Sequence, residues 1–190
     1  MADPVELQPA DIFLSRSETL LGGLIRFFTR AIGERRTEIN HVGVVVEGGD
    51  LQHAVVVEAL AFVRRHRLWS RFGNSPKHRV AVYRPRPIRD DDVATIVRSA
   101  EDDVGQEYGW LMVAAHLLDR LFLGVYFFRR LILAKDYPIC SWVVAWAYEK
   151  TGRDFGVPAA AADPDDIWDY VQQHRDEYEE ILPLQQLGVR

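Results

Sequence analysis

The stretch YPICSWVVAWAYEKTG, residues 137–152, contains the one cysteine of the 190-residue chain. A thiol becomes a strong nucleophile when it ionises, and the unpaired N–H groups and partial positive charge of a helix N-terminus favour ionisation. Apolar residues with helical spacing follow Cys140, and Gly152 is placed to end the helix that they predict. Free cysteine is also among the most often buried residue types. Cys140 is therefore either an inert core residue or a nucleophile at the start of a helix.

A nucleophilic cysteine needs a base, and one histidine has a setting that suits this role. His41 lies in the apolar segment NHVGVVVE, where burying an imidazole is unfavourable unless its nitrogens are hydrogen-bonded. Glu58 ends the next apolar run, HAVVVE, and is equally unusual there.

The spacing of the two residues predicts that they share one face of a hairpin. With a turn at Gly48–Gly49, Glu58 is the diagonal neighbour of His41. With a longer turn, from Gly48 to Leu51, the two residues face each other directly. In either register the carboxylate can orient the imidazole as a base, or the two side chains form a buried structural pair.

The other histidines do not complete this site. The alternation of strand side chains places His53 on the opposite face of the hairpin from His41, which disfavours a zinc site built from both. His66 and His78 flank a strongly basic segment, and we expect them to be solvated. A single cysteine excludes a multi-cysteine zinc site and an internal disulfide. We therefore expect no metal ion and no cofactor.

Composition and charge limit the classes of protein to consider. With 48% hydrophobic and 11% aromatic residues, the chain has enough apolar content for one domain spanning residues 1–190. Its net charge of -5 argues against nucleic-acid binding. Nine basic residues and no acidic residue lie between positions 64 and 89, and this basic segment predicts either a solvated surface or a docking surface for an anionic group.

The beginning of the chain, MADPVELQPAD, bears on localisation. It lacks the basic and apolar regions of a signal peptide, so we expect a cytoplasmic protein. Export by a specialised route and peripheral association with a membrane are compatible with the same sequence.

The elements that must position these residues are mostly strands first and helices later. The segments ADIFLSR, INHVGVVVE, LQHAVVVEALAFV and HRVAVYRP predict strands, and the second and third of them predict a hairpin. SETLLGGLIRFFTRAIG and RDDDVATIVRSAEDDVG have helical spacing, and we expect helices from the latter to the C-terminus. The pattern predicts an α+β fold with an antiparallel sheet.

The most apolar part of the sequence runs from residue 110 to residue 134. Its length approaches that of a membrane-spanning helix, but two pairs of charged residues, Asp119 with Arg120 and Arg129 with Arg130, interrupt it. Charges are unfavourable in hydrocarbon. Besides a spanning helix, this segment fits a buried core helix with an excursion, or a surface that contacts a membrane or a protein partner.

Several segments together resemble one known family. PADIFLSR, NHVGVVVE, VVVEA, YPICSWVVAWAYEKTG and DPDDIWDY are similar, in order and type of element, to the circularly permuted NlpC-type branch of the papain-like cysteine peptidase superfamily. Within that branch they are most similar to the YiiX/YaeF-like proteins, and more distantly to the lecithin retinol acyltransferase-like proteins. The resemblance covers roughly residues 11–170. The histidine strand precedes the cysteine helix, which is the reverse of papain order.

The resemblance implies a circularly permuted papain-like fold, in which an antiparallel sheet carrying His41 and Glu58 packs against a helix that starts with Cys140. It implies that Cys140 is the nucleophile, His41 the base and later acid, and Glu58 the group that orients the imidazole. Tyr108, in GQEYGW, is the corresponding candidate for lining the substrate cleft. Ala10 stands where the family usually has glycine.

The activity that the resemblance implies is acyl transfer through a thioester. We expect hydrolysis of an amide bond in a peptide, an isopeptide or an N-acyl amino acid, with backbone N–H groups at the start of the Cys140 helix stabilising the oxyanion. A second hypothesis is an acyltransferase or deacylase that acts on a lipid-like acyl substrate at a membrane surface. A third, of a different class, is a binding module that keeps the fold without turnover.

Overall fold

The computed structural model describes residues 5–18, 38–59, 62–106 and 140–188. Within these ranges the chain forms an α+β fold with an antiparallel sheet, as predicted. The strands are β1 (Glu6–Leu7), β2 (Ile12–Ser17), β3 (His41–Glu47), β4 (Gly49–Asp50), β5 (Val55–Ala59), β6 (Val63–Arg67), β7 (His78–Pro85) and β8 (Tyr178–Gln185). The helices are α1 (Leu68–Phe72), α2 (Asp90–Asp102), α3 (Cys140–Glu149) and α4 (Pro164–Gln173), with a 3₁₀ turn at Ala159–Ala161.

The main sheet has six strands in the order β6-β5-β3-β2-β7-β8, and β1 pairs separately with β4. Because successive strand residues point to opposite faces, the sheet separates two apolar clusters. Val42, Val44 and Val57 belong to the cluster that contains the buried residues of α2, α3 and α4. Val45 and Val56 belong to the other cluster, which contains the buried residues of α1.

The hairpin of β3 and β5 has a longer turn than either turn considered from the sequence. The last pair of the two strands is Glu47 with Val55, after a register shift between Val45 and Glu47, which leaves the residues from 48 to 54 as the connection. Gly49–Asp50 forms β4 against β1, and the Asp50 carboxylate accepts hydrogen bonds from the backbone of Gln52 and His53. His53 is therefore an exposed turn residue, not a strand residue, because the turn is held by Asp50 and not by the glycine pair.

The segment LQHAVVVEALAFV was predicted as one strand, and that prediction is wrong. It contains the end of the turn, the whole of β5 and the start of β6, and β5 and β6 run antiparallel with Glu58 opposite Arg64. No glycine or proline marks the reversal, and the apolar run continues through it to Val63. Hydropathy alone therefore gave no sign of a second strand.

Helices do not continue to the C-terminus as predicted. The segment YEEILPLQ forms β8, an edge strand beside β7, and Tyr83 in β7 donates a hydrogen bond of 2.7 Å to Oε2 of Glu180. Pro183 is compatible with this place because an edge strand can lack one ladder hydrogen bond. The proline and the two adjacent acids obscured the alternation of apolar residues in the sequence.

Three sequence predictions fall outside the described residues. These are Tyr108, the apolar segment 110–134, and residues 19–33 of the first predicted helix. In the ranges that the structure does describe, no helix combines the length and the apolar character needed to cross a membrane.

Candidate active site

Cys140 is the first described residue of α3 and is buried, with 5% of its surface exposed. Backbone N–H groups of Val42 and Ser141 donate hydrogen bonds to its sulfur, and so does the His41 ring. Burial alone raises the pKa of the Cys140 thiol, but the positive imidazole and these hydrogen bonds outweigh it, so that the pKa is lowered.

His41 hydrogen-bonds to both other members of the predicted site. Its Nε2 atom hydrogen-bonds to Oε2 of Glu58, which leaves Nδ1 as the ring atom that faces the sulfur of Cys140. Burial alone lowers the pKa of His41, but the carboxylate of Glu58 and the thiolate of Cys140 raise it to about 9. A lowered thiol pKa beside a raised imidazole pKa favours a thiolate–imidazolium pair at neutral pH.

The cysteine and the acid lie on opposite faces of the sheet, and the histidine connects them. Helix α3 packs on the face that carries Val42 and Val44. His41 alternates with Val42 and therefore belongs to the other face, together with Glu58. His41 is the first residue of its strand and Cys140 is the first described residue of its helix, and the two side chains meet there. The sheet thus packs against α3 through the face opposite to the one that carries the acid.

The face shared by His41 and Glu58 is the one predicted from the sequence, although the register differs. The pairing of Val44 with Val57 places Gly43 opposite Glu58, which makes His41 a diagonal neighbour of the acid. The observed connection of seven residues is longer than either predicted turn by an odd number. The register shift between Val45 and Glu47 adds one residue to β3 and restores the parity, so His41 and Glu58 still share a face. A Cβ on Gly43 would lie 2.4 Å from the Phe13 ring and 2.6 Å from the carbonyl oxygen of Val57, so only glycine fits here.

Glu58 is fully buried and has three partners. One carboxylate oxygen contacts His41, and the other lies 2.6 Å from Nε2 of His66 and 3.0 Å from Nη1 of Arg71. Burial alone raises the pKa of Glu58, but the charge of His41, the hydrogen bonds from both histidines and the charge of Arg71 lower it overall. Glu58 is therefore an ionised carboxylate whose orientation is fixed from two sides.

His66 is not a solvated residue as predicted, and it belongs to this cluster. Its Nε2 faces the Glu58 carboxylate, and its Nδ1 lies 2.9 Å from the carbonyl oxygen of Arg67. Burial alone lowers the pKa of His66, but the hydrogen bonds to Glu58 and to the Arg67 carbonyl raise it. Since both ring nitrogens face acceptors, the doubly protonated ring satisfies both. His66 would have been found from the sequence if the reversal of the chain between β5 and β6 had been recognised. Arg64 then lies opposite Glu58, and His66 follows two residues later on the same face.

The basic segment of residues 64–89 is largely paired within the protein. Five of its nine basic residues form ion pairs with acids: Arg65, Arg71, Arg84, Arg86 and Arg89. The most buried of these pairs joins Arg84 to Asp11 through two hydrogen bonds of 2.8 Å. Much of the positive charge read from the sequence is therefore used to hold the fold and the Glu58 carboxylate.

Ala10, which stands in place of the usual glycine, has a backbone φ of 69°. This left-handed conformation is unfavourable for a residue with a Cβ, by about 1–2 kcal/mol relative to glycine. Two hydrogen bonds hold the backbone of Ala10. Its N–H donates to the carbonyl of Val45 at 2.8 Å, and its carbonyl oxygen accepts from the hydroxyl of Tyr148. The turn that glycine favours is thus formed with alanine, and α3 is tied to it through Tyr148.

Comparison with known proteins identifies the fold. No family model matches the chain, and no curated protein matches it. Among solved structures, the crystal structure of the metalloprotein YiiX from Escherichia coli O157:H7, of DUF1105, matches with a TM-score of 0.53 and 16% sequence identity. The match covers 96% of this chain and 88% of that chain. At this level of identity the similarity concerns the fold alone, and this chain has a YiiX-like fold.

Proposed function

We propose that this chain is a cysteine hydrolase with a circularly permuted papain-like fold, which cleaves an amide bond through a thioester intermediate. The observation that carries the proposal is the hydrogen-bonded series from Cys140 through His41 to Glu58. A buried thiol, an imidazole and a carboxylate joined in this order form the arrangement that activates a nucleophile in acyl transfer. The order of the elements, with β3 and β5 before α3, supports the permuted form.

In the proposed reaction the thiolate of Cys140 attacks the carbonyl carbon of the amide. A C–S bond forms, and the electron pair of the carbonyl moves onto its oxygen. Backbone N–H groups at the start of α3 are placed to stabilise this oxyanion, an interaction worth about 3–4 kcal/mol for each donor. The imidazolium of His41 then gives its Nδ1 proton to the nitrogen of the leaving amine as the C–N bond breaks.

Hydrolysis of the thioester completes the cycle. Neutral His41 takes a proton from a water molecule, the resulting hydroxide adds to the thioester carbonyl, and the C–S bond breaks to regenerate the thiolate. Glu58 remains ionised and keeps Nδ1 of the ring directed at the reacting atoms throughout.

The description of YiiX as a metalloprotein raises the question of a metal in this chain. The described ranges contain no group of three or more His, Cys, Asp and Glu side chains arranged to hold a metal ion. Both nitrogens of His66 already face acceptors, and the Arg71 guanidinium contacts the carboxylate that a cation would need. These residues do not fit a metal ion, so the proposed reaction uses the side chains of the chain alone.

Alkylation of the single cysteine tests the proposal first. Iodoacetamide should modify Cys140 well below the ordinary thiol pKa of about 8.5, because the thiolate is already formed. His41→Ala should slow the reaction at pH 7 and move its midpoint up towards that value. Cys140→Ala is the control for labelling elsewhere in the chain. If the pH profile of labelling is the same in the wild type and in His41→Ala, Cys140 is an inert core residue.

A substrate screen then separates the functions. Peptide, isopeptide, N-acyl amino acid and lipid ester substrates are incubated with the wild-type chain and with Cys140→Ala. We expect Cys140-dependent release of the amine from one of the amide classes. Turnover of lipid esters alone, or acyl transfer to a lipid, would identify a membrane acyltransferase or deacylase. Histidine-dependent labelling without any turnover would identify a binding module.

A further inference from the structure

The oxygen of Glu58 that does not contact His41 faces two residues that line an open cavity. This cavity has a volume of about 670 Å³ and lies between β6, α1 and the end of α2. Its volume is within the range of small-molecule sites, about 300–1,000 Å³. The residues that line it include Phe62, Arg64, Arg65, His66, Arg71 and Val104.

The cavity wall carries excess positive charge. Three arginines and His66 line it, and no acidic side chain of the described residues does. Arg65 is paired with Glu47 and Glu101, whereas Arg71 shares the single carboxylate of Glu58 with two histidines.

Arg64 differs from the other two arginines of this wall because, among the described residues, no acidic side chain pairs with it. It is exposed, and it has no ion-pair partner within the part of the chain that the structure describes. It lies opposite Glu58 in the β5–β6 pair, which places its side chain on the same face of the sheet as the acid. One unpaired guanidinium beside an already electropositive wall matches a ligand with one negative charge.

The rim of the cavity is apolar and rigidly connected. Phe62 and Val104, 41% and 40% exposed, are the exposed large apolar side chains among the residues described, and both line this cavity. Backbone hydrogen bonds of 2.9 Å join Val63 to Gln106 and Gly105 to Val63, which fix the end of α2 against β6. Exposed apolar side chains grouped at a concave site indicate a binding surface.

We propose that this cavity binds a small carboxylate that carries an apolar chain. The guanidinium groups of Arg64 and Arg71 hold the carboxylate, and Phe62 with Val104 covers the chain. The site is separate from the thiol of Cys140 and does not depend on the proposed hydrolase activity.

Isothermal titration calorimetry on the full chain tests this site with hexanoate as the probe. Hexanamide has the same size without the charge, and inorganic phosphate has charge without the apolar part. We expect saturable binding of hexanoate. Hexanamide should bind at least about tenfold more weakly, since a charged hydrogen bond contributes about that factor. Phosphate should also bind at least about tenfold more weakly, because it has no apolar chain for Phe62 and Val104 to cover. Equal affinities for hexanoate and hexanamide, or no saturable binding of hexanoate, would overturn the proposal.

Variants locate the binding. Arg64→Ala should weaken hexanoate binding by about tenfold. Arg79→Ala removes an exposed arginine from β7, which three strands separate from β6, and should leave binding unchanged. Cys140→Ala should bind hexanoate as well as the wild type does, whether or not the chain proves to be a hydrolase. Equal effects of Arg64→Ala and Arg79→Ala, or loss of binding in Cys140→Ala, would show that hexanoate binds elsewhere.

Discussion

His41 and His66 hydrogen-bond to different oxygen atoms of the same carboxylate, that of Glu58. The two histidines come from β3 and β6, the strands on either side of the strand that carries the acid. A carboxylate held on one oxygen only can rotate, whereas one held on both oxygens keeps a fixed plane. His66 is therefore a positioning residue for the orientation of His41, although it does not contact Cys140 directly.

Replacing His66 tests this positioning role. His66→Ala removes the shorter of the two contacts to that oxygen and leaves the longer one from the more exposed Arg71, so the carboxylate and the His41 ring are held less firmly. We expect alkylation of Cys140 by iodoacetamide at pH 7 to slow by about ten- to a hundredfold, because small misplacements of a reacting group have effects of that size. His66→Gln retains an N–H donor and should recover most of the rate. If His66 had only a structural role, His66→Ala would lower the free energy of unfolding but leave the rate of Cys140 alkylation unchanged.

Glu58→Gln tests the charge of the buried acid. The substitution preserves size but leaves His41, His66 and Arg71 around a neutral amide, so we expect a loss of about 3 kcal/mol in the free energy of unfolding. It should also move the midpoint of Cys140 alkylation upward, because the carboxylate no longer raises the pKa of His41.

The matched control for this prediction is Glu47→Gln. Glu47 is 59% exposed and pairs with Arg65 at the surface, so the same chemical change should alter the free energy of unfolding by less than about 0.5 kcal/mol. Urea denaturation of the three proteins at pH 7 provides the comparison. A loss for Glu58→Gln no larger than that for Glu47→Gln would mean that the cluster is not held by the charge of Glu58.

The sequence predicts those features of the site that depend on local periodicity. The run HRVAVYRP coincides with β7, and helix α2 begins with the three acids expected near a helix N-terminus. The same reasoning places His41 and Glu58 on one face. It holds with the seven-residue connection because the register shift between Val45 and Glu47 compensates for the odd change in turn length, and periodicity does not predict that shift. The helical conformation of Cys140–Glu149 follows from the apolar spacing in this segment.

The remaining features depend on contacts between distant segments. The chain reverses between β5 and β6 inside a continuous apolar run, so hydropathy could not bring His66 to Glu58. The C-terminal strand is stabilised by pairing with β7, and its own sequence contains a proline and adjacent acids. Packing likewise decides which face of the sheet α3 covers. Periodicity shows that side chains alternate between the two faces, but it does not show which helix packs on which face.

The pH dependence of stability tests the thiolate–imidazolium pair without any substrate. Unfolded histidine and cysteine have pKa values of about 6.5 and 8.5. Between these values the folded chain carries the proton on His41 and the unfolded chain carries it on Cys140, so the number of bound protons is equal and this pair contributes no slope. In Cys140→Ala the folded state binds one proton more than the unfolded state, because Glu58 still raises the pKa of His41.

Stability of Cys140→Ala should therefore fall as pH rises above about 6.5, by at most about 1.4 kcal/mol per pH unit more steeply than in the wild type. Urea denaturation at pH 6.5, 7.5 and 8.5 measures both slopes. The double variant Cys140→Ala with His41→Ala removes both groups and should return to the wild-type slope. Parallel slopes for the wild type and Cys140→Ala would contradict the ion pair.

Ala10→Gly tests the left-handed turn before β2. Relief of the unfavourable φ of 69° should contribute about 1–2 kcal/mol. The greater freedom of glycine in the unfolded chain opposes this by about 0.4–1 kcal/mol, and loss of a buried methyl group by about 0.8 kcal/mol. These effects nearly cancel, so the free energy of unfolding should stay within about 0.5 kcal/mol of the wild type.

The same substitution at Ala94 is the comparison, because this exposed residue lies inside helix α2. There glycine relieves no strain, and Ala94→Gly should lower the free energy of unfolding by about 1 kcal/mol. Measuring both variants by urea denaturation separates strain relief from the general effect of glycine. Without strain at position 10, Ala10→Gly would lose both the entropy and the methyl contact and would be less stable by about 1.5 kcal/mol. A loss of that size would show that Ala10 does not adopt the left-handed conformation in solution.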